Sequence, residues 1–201
     1  MDTALKNDPW VKYNAACFVQ KFLGFFVTID KYQVLRVLDT NFKKELWRRQ
    51  INQEALSMIS YPHLPAFILG TMEGRLLFFS LDLPTQQIDY EEAQEAAKLK
   101  VDVHYIGNIL LHRNPIDIMK MDQKTSLCTA VSKEEGTVVV VDVKNISKVL
   151  YVDEVTVEGQ VIDVHLMNKT LLILSTSPGC EENFGDLITF IKVNFRSILN
   201  V

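Results

Sequence analysis

The chain has 201 residues, of which 48% are apolar and 23% charged, with a formal net charge of −4 at pH 7. That length is enough for one domain with a real core. The acidic balance and the lack of any long Lys/Arg run leave no electrostatic footprint for nucleic acid.

Residues 24–29 and 32–38 read as the first two strands, with Asp30-Lys31 as a short connection. Residues 43–51 are rich in helix-favouring Lys, Glu, Leu and Arg, but the repeat described below places a more polar outer strand there. Lys43, Lys44, Arg48 and Arg49 form one small basic cluster on it, read as a solvated strand end. Residues 55–60 open the next unit, and Tyr61-Pro62-His63-Leu64-Pro65 is a rigid connector because each proline fixes φ. Strands follow at 67–70 and 76–81, turned through Met72-Glu73-Gly74. Residues 85–100 are rich in Ala, Glu, Gln and Lys, with Glu91, Glu92 and Glu95 early and Lys98 and Lys100 late. That polarity suits a helix dipole, so the segment reads as a helical or mobile insertion. A strand resumes at 101–106, with His104 and His112 placed to flank a hairpin at Gly107-Asn108. After the breaker Asn114-Pro115, strands are expected at 116–122, 127–132, 137–143 and 149–157, then at 161–167, 170–176 and 187–195.

One unit recurs through this list: an apolar strand, a tight polar turn ending in Gly, and a second apolar strand. Copies lie at 65–82 and 126–143, and a third runs from 171 to 175 and resumes at 186–193 after a longer loop. Spaced repeats of one supersecondary unit predict an all-β fold of β-propeller blades, each of four antiparallel strands. The tally is two full blades, 54–111 and 116–158, flanked by partial blades at 17–53 and 161–195. So few units predict part of a larger propeller, or an incompletely closed one, with edge strands exposed at both ends.

The stretch from Tyr61-Pro62-His63 through Gly70 and Gly74 to Phe78-Phe79 resembles a degenerate WD40 repeat. Leu81-Asp82 and Val141-Asp142 stand near the place of that family's Trp-Asp pair, but the Trp is absent and the Gly-His pair is missing from its usual position. The family's Asp–His–Ser/Thr–Trp polar network is therefore not expected. Long divergent repeats with acidic insertions are also similar to cilia- and flagella-associated WD-repeat proteins. That resemblance implies a scaffold for protein–protein interaction in axoneme assembly or motility, with axonemal or dynein-associated partners, in the cytoplasm or the cilium. Propeller adaptors of vesicle-coat or ubiquitin-ligase complexes share the same physics, and a propeller hydrolase is the remaining alternative.

No catalytic, cofactor or metal site is predicted. The sequence lacks GxSxG, GxGxxG and P-loop patterns, and His63, His104, His112 and His165 form no metal-ligand pair. The histidines read as surface or blade-packing residues. Asp117, Asp122, Asp142 and Asp163 recur near strand ends, where turn capping is the expected role. Cys17, Cys128 and Cys180 are odd in number and widely spaced, which argues against a disulfide framework. The start of the chain lacks signal-peptide features, and no apolar run reaches membrane-spanning length. Partner binding is assigned to the two segments where the repeat breaks: Glu91, Glu92 and Glu95 in one, Glu181, Glu182 and Phe184 in the other.

Overall fold

The computed structural model describes residues 12–19, 24–40, 44–83, 101–167, 170–176 and 189–194, the last as backbone. Fifteen strands form four antiparallel sheets. Sheet 1 holds β1 (Tyr13–Phe18), β2 (Phe25–Asp30), β3 (Val34–Asp39) and β4 (Lys44–Gln50). Sheet 2 holds β5 (Ala55–Ser60), β6 (Ala66–Thr71), β7 (Arg75–Asp82) and β8 (Asp102–Leu110). Sheet 3 holds β9 (Ile118–Asp122), β10 (Leu127–Ser132), β11 (Thr137–Asp142) and β12 (Leu150–Thr156). Sheet 4 holds β13 (Val161–Met167), β14 (Thr170–Ser175) and β15 (Thr189–Asn194). Each is a simple meander, and the first strands pack in succession, β1 against β5, β5 against β9 and β9 against β13. This is the all-β arrangement of propeller blades, with the first strand of each sheet innermost.

Several local expectations change. Tyr13–Phe18 supplies a fourth strand to the first sheet, where the sequence offered three. The turn after β2 takes in Lys31, Tyr32 and Gln33, and Gln33 adopts φ 62°. Residues 44–50 are a strand despite their helix propensity, because β4 pairs along β3. No hairpin forms at Gly107-Asn108; β8 runs straight through them along β7, with one register shift opposite Phe78/Phe79. The insertion at 85–100 lies outside the described residues.

Alternation along the strands sets the packing. In β6, Phe67 and Leu69 face sheet 1 while Ala66 and Ile68 face sheet 3. In β11, Val139 and Val141 face sheet 2 while Val138 and Val140 face sheet 4. β6, β10 and β11 are therefore buried at every position, which explains their unbroken apolar runs. β3 and β14 instead alternate buried and half-buried residues, as strands covered on one face do. Among the described residues there are three core clusters, joining sheets 1 and 2, 2 and 3, and 3 and 4. None joins sheet 4 to sheet 1, so the four sheets form an open arc. The outermost strands β4, β8 and β12 carry many exposed positions, and among the described residues no core cluster lies on the side of sheet 1 away from sheet 2 or on the side of sheet 4 away from sheet 3.

Candidate functional site

Alternating strand directions sort the connections onto two rims. One rim carries the β5–β6 connector, the β9–β10 turn and the β11–β12 loop. The opposite rim carries the tight turns of β6–β7 and β10–β11 and the links between sheets. The strand ends Leu83 and Val101, which bracket the first acidic segment, lie on the former. The ends of β14 and β15, which bracket the second, lie on the latter. The two predicted partner-binding segments thus depart from opposite rims. Glu91, Glu92, Glu95, Glu181, Glu182 and Phe184 themselves lie outside the described residues, as does Cys180.

On the first rim a groove of about 510 Å³ separates sheets 2 and 3. Its floor is Tyr61, which is 2% exposed and donates its hydroxyl to the Lys144 carbonyl oxygen at 3.0 Å. Burial raises the Tyr61 phenol above its ordinary pKa and the nearby Asp142 carboxylate adds to this, although the Ser126 hydroxyl opposes it. His63 stands edge-on to the Tyr61 ring with centroids 6.0 Å apart. Exposed His63, Leu64, Lys124 and Lys144 complete the walls. The Asp142 carboxylate is held by the Lys144 backbone N–H at 2.7 Å. The groove is therefore lined by the Tyr61 ring and Leu64 together with Lys124, Lys144 and Asp142. The prolines mark 61–65 as a connector, yet nothing in the sequence pairs Tyr61 with Lys144 of the β11–β12 loop.

A buried polar clamp holds the other rim together. His112, on the link from sheet 2 to sheet 3, is 3% exposed. Its Nε2 lies 3.1 Å from the Ala130 carbonyl oxygen, an acceptor only, so Nε2 carries the proton. Its Nδ1 sits 3.0 Å from Thr137 Oγ1 and 3.2 Å from Glu135 Oε2. A neutral ring accepts from the Thr137 hydroxyl; a cationic ring donates to Glu135. Glu135 Oε1 also accepts the backbone N–H of Arg113 at 2.6 Å and of Asn114 at 2.7 Å. Burial pushes the Glu135 carboxyl up, but the donors from Asn114, His112 and Arg113 outweigh it and hold the pKa below the ordinary value. The sequence reading expected no such His–acid–Thr network. Its signal was present in His112 just before Asn114-Pro115, and in the Glu135-Gly136-Thr137 turn, but their pairing is tertiary.

The four strand-end aspartates do not form an acid/base pair. Asp117 accepts the Lys133 N–H, Asp122 the Lys124 N–H and the Thr125 hydroxyl, Asp142 the Lys144 N–H, and Asp163 the Val164 N–H. Asp163 also meets Lys120 Nζ at 3.3 Å. Asp122 and Asp142 thus serve their own turns, whereas Asp117 ties the link before β9 to the β10–β11 turn. His104 is exposed and pairs with Asp82 at 2.9 Å, and His165 is exposed on β13. Burial pushes the thiols of Cys17 and Cys128 up to about 12, which makes both poor nucleophiles. Lys44, Arg48 and Arg49 are exposed on β4, where Arg48 meets Glu45 at 3.6 Å. Among the described residues no three His, Cys, Asp or Glu are grouped to hold a metal, and no helix is long and apolar enough to cross a membrane.

No protein-family model matches the sequence, and no curated protein matches it significantly. Solved structures do match. The structure of U3-55K aligns with TM-score 0.61 and 11% identity, over 83% of this chain and 46% of that one. The WD40 repeats of RRP9 align with TM-score 0.60 and 11% identity, over the same shares. The computationally designed Ika8 protein aligns with TM-score 0.56 and 10% identity, over 80% of this chain and 42% of that one. The fold is therefore that of part of a WD40-type β-propeller, and the chain spans less than half the length of these three structures.

Proposed function

We propose that this chain is a non-catalytic propeller scaffold that binds protein partners through its rims, the groove between sheets 2 and 3 being one such site. One observation carries the reading: His112 and Glu135 are engaged in the clamp, while the groove is lined by Lys124 and Lys144 beside the Tyr61 ring and Leu64. An acidic peptide segment with one apolar side chain fits that chemistry. The cilia- and flagella-type resemblance makes an axonemal scaffold the finer form of this proposal, with axonemal or dynein-associated partners. Proximity labelling in ciliated and non-ciliated cells tests it, with wild type beside Lys124→Glu/Lys144→Glu. Axonemal proteins enriched by wild type and reduced by the variant are the expected result. Enrichment of coat or ubiquitin-ligase subunits would transfer the scaffold to an adaptor role. An identical partner set for both proteins would remove the groove from the proposal.

A further inference from the structure

The β11–β12 loop, residues 143–149, stands between two grooves. Lys144 lines the Tyr61 groove, while Ser147 and Lys148 border a second one of about 240 Å³ that the loop forms with β8. Three hydrogen bonds fix the base of the loop. The Val143 N–H meets the Ser126 carbonyl oxygen at 3.0 Å, the Lys144 N–H meets the Asp142 carboxylate at 2.7 Å, and the Lys144 carbonyl oxygen accepts the Tyr61 hydroxyl at 3.0 Å. Beyond that base the chain turns tightly. Asn145 accepts the Lys148 N–H on its carbonyl oxygen at 2.9 Å and the Ser147 N–H on its Oδ1 at 3.0 Å. Ile146 and Val149 pack against the core between sheets 2 and 3, which leaves Lys144, Asn145, Ser147 and Lys148 exposed. Lys144 precedes Ser147 by three positions and Lys148 follows it directly. No other serine or threonine of the 201 residues has a Lys or Arg three positions before it.

We propose that Ser147 is a phosphorylation site for a serine kinase that selects basic residues around its target, and that the phosphate weakens the hold of the Tyr61 groove on an acidic peptide. Ser147 Oγ takes the γ-phosphoryl group of ATP. The Oγ–phosphorus bond forms, the bond from the γ-phosphorus to the β–γ bridging oxygen breaks, ADP leaves, and the hydroxyl proton passes to the base of the kinase. An acidic kinase cleft reads Lys144 and Lys148 as it takes up the exposed turn. The product adds a charge of about −1.5 to −2 at pH 7. Three residues of a tight turn reach less than about 10 Å, comparable with the Debye length of about 8 Å at physiological salt. The phosphate therefore offsets the Lys144 charge and repels an acidic ligand. The regulatory half rests on the groove being the acidic-peptide site; the modification itself does not.

The test uses the purified full chain, ATP and a purified serine kinase selective for a basic residue three positions before its target. Mass-spectrometric mapping should place a phosphate on Ser147. Ser147→Ala should remove that phosphate, and Lys144→Ala, also at an exposed position, should slow its uptake several-fold. A labelled acidic peptide with one central leucine then reads the groove by fluorescence anisotropy. Phosphorylation should weaken its binding about three- to tenfold, with kinase-treated Ser147→Ala unchanged. Absence of phosphate at Ser147, or uptake that ignores Lys144→Ala, overturns the site. Equal peptide affinity before and after phosphorylation overturns the regulation. A peptide that binds neither form sinks the groove reading and the regulation with it, while the mapping still decides the site.

Discussion

Three glycines should separate backbone strain from steric contact. At Gly107, in β8, an added Cβ meets nothing within 4 Å, and φ is not positive. Gly107→Ala should be neutral, or stabilising by about 0.5–1 kcal/mol through reduced unfolded-state entropy. At Gly136 φ is +64°, and the new Cβ would lie 3.0 Å from the Val157 carbonyl oxygen. A left-handed conformation costs an L-residue about 1–2 kcal/mol, so Gly136→Ala should lose that much. At Gly74 φ is +72°, and the Cβ would fall on the His112 carbonyl group and 2.9 Å from the Asn114 carbonyl oxygen. The turn must then move, although the Gly74 carbonyl accepts from the N–H groups of Leu111 at 2.9 Å and His112 at 3.1 Å. Weakening those bonds adds about 0.5–1.5 kcal/mol each, for a total of roughly 2–5 kcal/mol with the conformational cost. For a chain of this size that is a fall of roughly 4–20 °C in Tm. Urea unfolding of the three variants measures the order directly. A Gly74→Ala no less stable than Gly136→Ala would show that the link between sheets 2 and 3 yields freely, and the account of that link would fail.

Glu135→Ala should cost about 2–3 kcal/mol in urea unfolding, because it strips the acceptor from the Arg113 and Asn114 N–H groups, while Glu135→Gln should cost less. Both Glu135 and Asp30 have folded-state pKa values below their ordinary 4.5 and 3.8; burial opposes the shift, and their hydrogen-bond donors outweigh it. Their contribution is therefore fully present above the ordinary carboxylate range and is lost as pH falls through the lowered folded values. The urea midpoint should drop below about pH 4, and Glu135→Ala should flatten part of that fall; a wild-type midpoint unchanged from pH 7 to pH 3 would contradict it. Amide hydrogen exchange should be slowest in β6, β7, β10 and β11 of the doubly covered sheets and faster in β3 and β14. Uniform protection across all four sheets would contradict that order.

Sheets were legible where one strand and its turn carry the signal. The Gly74 and Gly136 turns, each flanked by apolar β-rich runs, marked the β6–β7 and β10–β11 hairpins without any tertiary information. β4 was legible only through the repeat, since its own residues favour helix and register with β3 decides the outcome. β1 was missed because Tyr13–Phe18 reads as weakly patterned and gains its strand character by pairing with β2. Functional residues were harder. Tyr61 and Lys144 are 83 positions apart, and His112 and Glu135 are 23 apart, so neither contact leaves a local pattern. The turn role of Asp122 and Asp142, by contrast, is local: each accepts the N–H two residues on.

The same locality explains where the candidate chemistry sits. Several of the buried polar residues lie in the turns and links between sheets 2 and 3. Thr137, His112 and Glu135 fasten sheet 2 to sheet 3 on one rim. Tyr61 reaches the Lys144 carbonyl to do so on the other. Fastening both rims holds the two central sheets in one fixed relation, and that relation sets the width of the groove lined by Tyr61, Lys124 and Lys144.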